Sequence, residues 1–418
     1  MNIVASITLW TTYLVSLYFS IFFILVFLDK RKFFNEQKPT LKSTPTVSII
    51  VPAYNEEKGI IDTLRSIISI DYPKDKLDII VVNDGSKDNT EVLVKQFITE
   101  YPYVKLLSHV NQGKAASLNR ALEKATGEFF VCLDADSTVD PSALKNMIAL
   151  YQKDPNDLAI ITPVLKVKSP KNMLQRVQWL EYLVMSFISR LASHIDALYV
   201  APGPFSLYKT SIIRNLGGFD EKCITEDQEI AYRVQLNQMK LKQCSTAIVH
   251  TTAPKTFKTF TRQRRRWYKG SIACLFRYRK MLLNKKYGDF GMIQLMKNVT
   301  GIFIAMSGMF FAGYFIVLPI IEKIQDLSLV RFDIIPYIKN IKFDPNLLGF
   351  DIPRMFIYVI FFAITCAFLY YSHKSTNEKL KKVNLIPLIP YLFVYYLLKG
   401  SIFIYSLIEY SVSAKDKW

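Results

Sequence analysis

The chain has 418 residues, a mean hydropathy of +0.17 and a formal net charge of +18, from 53 Lys and Arg against 35 Asp and Glu. Half of the residues are hydrophobic and the charge is unevenly spread, which excludes a simple soluble domain. Residues 51–100 carry 6 basic and 10 acidic side chains, a net charge of −4, whereas residues 251–300 carry 13 basic and 1 acidic, a net charge of +12. The five cysteines form no CxxC pair, so reduced thiols in a cytosol are favoured over a zinc site or a disulfide framework.

The N-terminal 28 residues predict a transmembrane helix. From Ile3 to Leu28 there are 26 residues without a charge, which as a helix would span about 39 Å, more than the hydrocarbon core of a bilayer. A cleaved signal peptide is the competing interpretation. It is disfavoured because no basic residue precedes the apolar run and Asp29-Lys30-Arg31-Lys32 follows it.

Residues 299–418 predict a second membrane region of about three helices. The apolar runs extend over Val299 to Ile321, Met355 to Tyr371 and Leu385 to Leu407, the last interrupted by Lys399 and Gly400. Lys399 has two interpretations: it contacts a polar or lipid-linked molecule within the membrane, or it snorkels to an interface.

Basic residues beside these runs predict their orientation. The basic side chains after the first helix and before the second place both flanks in the cytosol. Residues 322–354 carry five basic and five acidic side chains, as an external loop does, whereas residues 373–382 carry four lysines against one glutamate. The alternation predicts a multi-pass integral plasma-membrane protein with both termini outside and about 270 residues inside.

Residues 29–253 predict a cytosolic α/β domain. Helical stretches at Glu57–Ile70, Asn89–Tyr101 and Ala115–Ala125 separate short β-branched runs. This alternation predicts a mostly parallel sheet with a ligand crevice at the carboxyl ends of its strands. The predicted strands are Val47–Val51, Ile79–Val82, Val104–Ser108, Phe129–Leu133 and Leu158–Pro163.

Acidic segments follow three of these strands. They are Pro52-Ala53-Tyr54-Asn55-Glu56, Asn83-Asp84-Gly85-Ser86 and Asp134-Ala135-Asp136. One such segment would be an ordinary turn or helix cap, but three on one rim indicate a site. In an extended segment Asp134 and Asp136 point to the same side and offer oxygen ligands suited to Mg²⁺ or Mn²⁺; a solvated turn is the alternative.

Three further segments have both a structural and a functional interpretation. Lys114 is either a surface lysine or a point charge for a diphosphate. Thr225-Glu226-Asp227 is either a helix start or the source of a general base. Gln263-Arg264-Arg265-Arg266-Trp267 is either a patch that binds anionic lipid or a contact for a phosphorylated sugar; attachment to a bilayer argues against nucleic acid.

The order of these motifs resembles that of the membrane-bound processive family 2 glycosyltransferases, the synthases of cellulose, chitin, hyaluronan and poly-N-acetylglucosamine. The resemblance covers about residues 45–320, and the TED motif followed 36 residues later by QxxRW is its most specific part. It implies a GT-A fold in the cytosolic domain and a membrane region with interface helices.

The resemblance also implies a role for each motif. Tyr54, Glu56 and Asp84 would contact the uridine of a UDP-sugar donor and Lys114 its phosphates. Asp134 would face the ribose or the metal, and Asp136 would hold the Mg²⁺ or Mn²⁺. Asp227 would be the catalytic base and Glu226 a poorer choice. Arg266 and Trp267 would hold the diphosphate and the acceptor-end sugar, with Gln263 and Arg265 nearby.

The predicted function is a processive inverting hexosyltransferase that polymerises UDP-N-acetylglucosamine into a β-linked polysaccharide and exports it across the membrane. The growing polysaccharide and membrane lipid are its expected partners, and an accessory membrane subunit is left open. The alternatives are the transfer of one sugar to a polyprenyl phosphate or glycolipid, and a scaffold or transporter with a degenerate nucleotide site. Residues 254–298 and a helix from Pro170 would lie at the membrane interface, although the latter could instead pack on the domain core.

Overall fold

The computed structural model describes residues 3–31, 40–329, 352–376, 378 and 386–413. Most of the loop predicted to be external lies outside these residues. So do Lys32 and three of the four lysines of the loop at residues 373–382. The chain that is described contains an α/β domain between long apolar helices.

The α/β domain is built on one eight-stranded sheet, which confirms the predicted mostly parallel arrangement. The strand order is β3-β2-β1-β4-β7-β6-β8-β5; β4 and β6 each pair antiparallel with β7, and β5 pairs antiparallel with β8. All five predicted strands are present. The strands are β1 (Val47–Ala53), β2 (Leu77–Asp84), β3 (Val104–His109), β4 (Phe129–Cys132), β5 (Thr138–Val139), β6 (Leu158–Val167), β7 (Leu207–Lys209) and β8 (Lys240–Thr251).

The helices of the α/β domain include the three predicted ones, with α2 and α3 shorter at both ends. They are α2 (Ile60–Ile68), α3 (Thr90–Glu100), α4 (Lys114–Lys124), α5 (Ala143–Lys153), α6 (Met173–His194), α7 (Thr210–Asn215), α8 (Glu226–Leu236) and α9 (Phe257–Arg277). Two of them begin with a capping box, in which Asn172 caps α6 and Thr256 caps α9. In each, the side chain three residues later accepts a hydrogen bond from the backbone N–H of the capping residue.

The direction in which successive strands are added to the sheet reverses at β1. Parallel strands β2 and β3 extend from one edge of β1, whereas β4 pairs with its other edge, also parallel. In open α/β sheets the crevice at the carboxyl ends of such neighbouring strands is the usual ligand site. The polar segments after β1 and β4 therefore meet at this crevice.

The core lies on both faces of the sheet because residues along a strand alternate in direction. Ile49 and Val51 of β1 pack in one cluster with α2 and α5. Ile50 points the other way, into a cluster with α4 and α8. All three are fully buried, so β1 is covered on both faces of the sheet.

Within the described residues, four helical segments are long and apolar enough to cross a membrane: Ile3–Lys30, Phe290–Leu329, Met355–Thr376 and Leu388–Val412. The chain is a membrane protein on this evidence. The helices within these segments are α1 (Ile3–Lys30), α10 (Leu295–Ala312), α11 (Leu318–Leu329), α12 (Ile352–Thr376) and α13 (Tyr396–Ser413), with a π-helical turn joining α10 to α11.

Helix α6 lies between the sheet and the membrane helices. Val177 and Leu180 pack with Tyr391 and Ile402 of the last apolar segment, and Phe187 packs against Phe23 of α1. The helix also contacts β6, β8 and α12. The helix thus packs on the domain core, as one of the two sequence-based interpretations predicts, and its other face contacts the apolar helices.

Candidate active site

The crevice after β1 and β4 collects four of the predicted acidic and aromatic side chains. Tyr54 is 43 % exposed at its mouth. Glu56 lies deeper, where burial, followed by the charges of Asp136 and Asp134, raises the pKa of its carboxyl group to about 7. This part of the cleft therefore holds more negative charge than its own side chains neutralise.

Asp84 lies at the end of β2 and is almost fully buried. Its two carboxylate oxygens accept hydrogen bonds from the backbone N–H groups of Gln112 and Gly113, at 2.8 and 3.0 Å. Gly113 has φ +93°, a conformation that an L side chain rarely adopts. Asp84 therefore fixes the turn that delivers Lys114 at the start of α4.

Lys114 connects the two acidic motifs of the chain. Its ammonium group donates a hydrogen bond to Asp134 Oδ1 at 2.5 Å and lies 3.3 Å from Glu226 Oε1. Burial alone would lower the pKa of Lys114, but Asp134, Glu226 and Asp227 raise it well above its usual value. A permanently charged lysine thus joins the DAD segment after β4 to the TED segment at α8.

Asp227 stands in the first turn of α8, beside that lysine. Burial and the neighbouring charge of Glu226 raise the pKa of its carboxyl group to about 6, against opposing effects of Lys114 and Arg266. One carboxylate oxygen accepts a hydrogen bond from the N–H of Gln228 at 2.9 Å. A half-buried carboxylate with this pKa is suited to general base chemistry near neutral pH.

The donor set at Asp134 and Asp136 fits a divalent cation that keeps water or substrate ligands. Burial and Asp134 raise the pKa of Asp136, so a cation there would relieve a carboxylate repulsion. Within the described residues no group of three or more His, Cys, Asp or Glu is arranged to hold a metal by itself. Mg²⁺ and Mn²⁺ are bound in this manner, by one or two carboxylates together with phosphate oxygens.

Helix α9 carries the QxxRW motif alongside the TED segment. A Cβ atom on Gly270 would overlap the side chain of Thr225, so only glycine permits this approach of α9 to α8. Ser271 donates a hydrogen bond to Gln228 at 2.8 Å. The helix is therefore seated directly against the segment that holds Asp227.

The QxxRW side chains have different environments. Arg266 is exposed and Trp267 is half-buried. The side-chain oxygen Oε1 of Gln263 is buried and has no hydrogen-bond partner among the described residues. A buried unpaired acceptor of this kind is suited to a hydroxyl group of a bound molecule.

Arg264, which sequence reasoning did not single out, is the buried arginine of this helix. It is 2 % exposed, and its guanidinium group stacks on the ring of Trp267 with 4.3 Å between them. It donates a hydrogen bond to Glu181 Oε2 of α6 at 2.5 Å. The orientation of Trp267 therefore depends on a contact between α9 and α6.

Glu181 is the centre of a four-residue cluster that also reaches the last membrane segment. Tyr395 donates to Glu181 Oε2 at 2.7 Å and Lys399 donates to Glu181 Oε1 at 2.6 Å. Burial alone would raise the pKa of Glu181, but the charges of Lys399 and Arg264 lower it to about 2. The ammonium group of Lys399 is thus paired with a carboxylate of α6.

Comparisons with known proteins identify a domain of a known family in this chain. Residues 48–217 match the family model described as glycosyl transferase family 2. The chain carries a family 2 glycosyltransferase domain. The matched region contains Tyr54, Glu56, Asp84, Lys114 and both aspartates of the DAD segment, whereas the TED and QxxRW motifs follow it.

The curated proteins that are similar to this chain include two from bacteria. The poly-beta-1,6-N-acetyl-D-glucosamine synthase of Staphylococcus epidermidis is 31 % identical over 266 residues, covering 63 % of this chain and 64 % of the relative. The probable glycosyltransferase YdaM of Bacillus subtilis is 30 % identical over 239 residues, covering 56 % and 57 %. The match thus spans just under two thirds of the staphylococcal protein.

A similar solved structure is a mannosyltransferase, PcManGT from Pyrobaculum calidifontis, in complex with GDP-Man and Mn²⁺. It aligns with 92 % of this chain and 98 % of its own length, at a TM-score of 0.55 and 18 % identity. At that identity the likeness shows the fold alone. The predicted GT-A fold next to membrane helices is confirmed.

Proposed function

We propose that this chain is a processive inverting hexosyltransferase that builds a β-linked polysaccharide from UDP-N-acetylglucosamine and exports it across the membrane. The observation that carries the proposal is the position of Lys114 between Asp134 and Glu226, which brings the donor-side and base-side motifs into one cleft. The name of the staphylococcal relative supports the choice of sugar and of a polymeric product.

The donor would lie across the carboxyl ends of β1 and β4. Tyr54, Glu56 and the turn fixed by Asp84 would border the uridine, and Lys114 would bind the diphosphate as a point charge. Asp136, with Asp134, would hold Mg²⁺ or Mn²⁺. When bound, that ion neutralises charge on the departing UDP. Lys114 and Arg266 would add to this stabilisation from the protein side.

The acceptor would be held on the opposite side, by α9. The ring of Trp267 offers an apolar face to the terminal sugar, and the unpaired oxygen of Gln263 accepts a hydrogen bond from one of its hydroxyl groups. Asp227 takes the proton of the attacking hydroxyl as that oxygen bonds to the anomeric carbon and the bond to UDP breaks. Attack opposite the leaving group inverts the configuration at that carbon.

The membrane helices fit export of the product. Helix α9 packs against α13, where Arg265 and Lys269 both bind Glu409, at 2.7 and 2.5 Å. The acceptor side of the cleft is thus attached to a membrane segment. The charge pattern of the loops supports a cytosolic cleft, so a chain extended at α9 would leave towards the opposite side.

The function is tested by offering the purified full-length protein a panel of nucleotide sugars with Mn²⁺ and measuring nucleotide release and product size. The panel contains UDP-N-acetylglucosamine, UDP-glucose and GDP-mannose. We expect UDP release from UDP-N-acetylglucosamine and a ladder of long products. A product with one sugar on a lipid would favour the single-transfer alternative, and faster turnover of GDP-mannose would contradict the proposed donor.

The dependence on pH is expected to follow the protonation of Asp227. A base must be deprotonated to act, so kcat/KM should fall about tenfold per pH unit below the pKa of about 6 and level off above it. Because the pKa of Glu56 is about 7, a Glu56→Gln variant is the control. The inflection of the kcat/KM profile near pH 6 should persist in this variant. If the inflection disappeared, it would be assigned to Glu56 instead of Asp227.

A further inference from the structure

A cavity of about 590 Å³ lies between α9, α10 and α13. Its lining is mostly aliphatic and aromatic, and it contains neither Asp227 nor the residues of the donor cleft. Two of the three helices belong to segments long and apolar enough to cross a membrane. The cavity is therefore a site distinct from the crevice at the strand ends, and two of its walls are candidate membrane spans.

The charged residues that line this cavity are all basic. Lys297 and Lys399 are part of the lining, whereas no Asp or Glu is. The ammonium group of Lys297 lies over the rings of Phe23 and Tyr199, at 5.0 and 5.7 Å, and has no carboxylate partner among the described residues. An unpaired cation in such a setting is unfavourable, and aromatic rings compensate it only in part.

The surroundings of Lys399, the second lysine of the lining, also carry a net positive charge. Lys399 and Arg264 share the single carboxylate of Glu181, so that cluster also holds one more positive than negative charge. Glu181 lies outside the lining, so the residues that line the cavity supply no negative charge of their own. A neutral sugar chain would leave this charge uncompensated, and a free inorganic ion would leave the apolar part of the lining unfilled.

We propose that the cavity binds an anionic membrane phospholipid, with the phosphate group beside Lys297 and an acyl chain against the apolar lining. A phosphate supplies the missing negative charge, and lysine binds phosphate as a point charge. The inference goes beyond the proposed transfer reaction, because the lipid is neither donor nor acceptor. It can therefore be tested without measuring turnover.

The test is native mass spectrometry of the full-length protein, purified in detergent and stripped of lipid. Dioleoylphosphatidylglycerol, dioleoylphosphatidylcholine and inorganic phosphate are titrated separately against the wild type, Lys297→Met and Lys297→Gln. Lys286→Met is the matched control, because Lys286 also lies over an aromatic ring, that of Tyr287 at 5.8 Å, but outside the cavity.

We expect one phosphatidylglycerol per chain in the wild type and in the Lys286 variant. Its affinity should fall about tenfold or more in both Lys297 variants, since one charge-assisted contact is lost. Phosphatidylcholine should bind more weakly than phosphatidylglycerol. Equal affinity in the Lys297 and Lys286 variants would overturn the proposal, as would binding of inorganic phosphate that matches that of the lipid.

Discussion

Replacement of Asp227 by asparagine is expected to lower the rate of UDP release from UDP-N-acetylglucosamine by about 10² to 10⁴-fold. The carboxamide has the same shape as the carboxylate but cannot take the proton of the attacking hydroxyl. The fold should be retained, since the side-chain oxygen of asparagine can still accept the hydrogen bond that Asp227 accepts from the N–H of Gln228. Initial rates at saturating donor, together with the thermal unfolding midpoint, measure both effects.

Two further variants show whether this loss is specific to Asp227. Glu123→Gln removes one negative charge from an exposed position on α4 and should leave the rate unchanged. Glu226→Gln removes one of the two carboxylates beside Lys114, so it should weaken donor binding more than it slows the chemical step. Full turnover by Asp227→Asn, or a larger loss of kcat in Glu226→Gln, would contradict the assignment of the base.

Replacement of Glu181 by glutamine is expected to destabilise the protein by about 3–5 kcal/mol, because Arg264 and Lys399 then lose the only carboxylate that their cluster provides. Breaking a buried ion pair by removing one partner leaves an uncompensated charge. The thermal unfolding midpoint of the full-length protein measures the loss. Turnover should also fall, since Arg264 orients Trp267.

The control for Glu181 is a second carboxylate that binds two cations. Glu409 pairs with Arg265 and Lys269 but is more exposed, so Glu409→Gln should cost no more than about 1 kcal/mol. A triple variant, Glu181→Leu with Arg264→Met and Lys399→Leu, should regain stability without regaining turnover. Equal losses from Glu181→Gln and Glu409→Gln, or normal turnover in the triple variant, would contradict the role given to this cluster.

The parts of the site that could be predicted are those encoded locally. The buried run of β1 and the polar residues after it are adjacent in sequence, so the rim on which Tyr54 and Glu56 lie follows from strand periodicity alone. The same holds for Asp134 and Asp136 after β4. Their roles in catalysis remain predictions that the proposed measurements address.

The parts that could not be predicted depend on tertiary contacts. Glu181 and Lys399 are 218 residues apart, and neither apolar helix indicates a partner for its charged residue. In the run of three arginines on α9, the sequence does not say which one is buried, because that depends on the rotation of the helix about its axis. One signal was present: Phe260, Arg264 and Trp267 share a helical face by their spacing.

The attachment points on α9 have a mechanical consequence. Arg265 and Lys269 hold the membrane helix α13, and Gly270 rests against Thr225, all within about 7.5 Å along the helix axis. Because these contacts lie so close together along α9, a shift of α13 would be passed directly to the first turn of α8, which contains Asp227. Under the proposed function, a growing product would therefore pass a cleft that is held in place directly by a membrane helix.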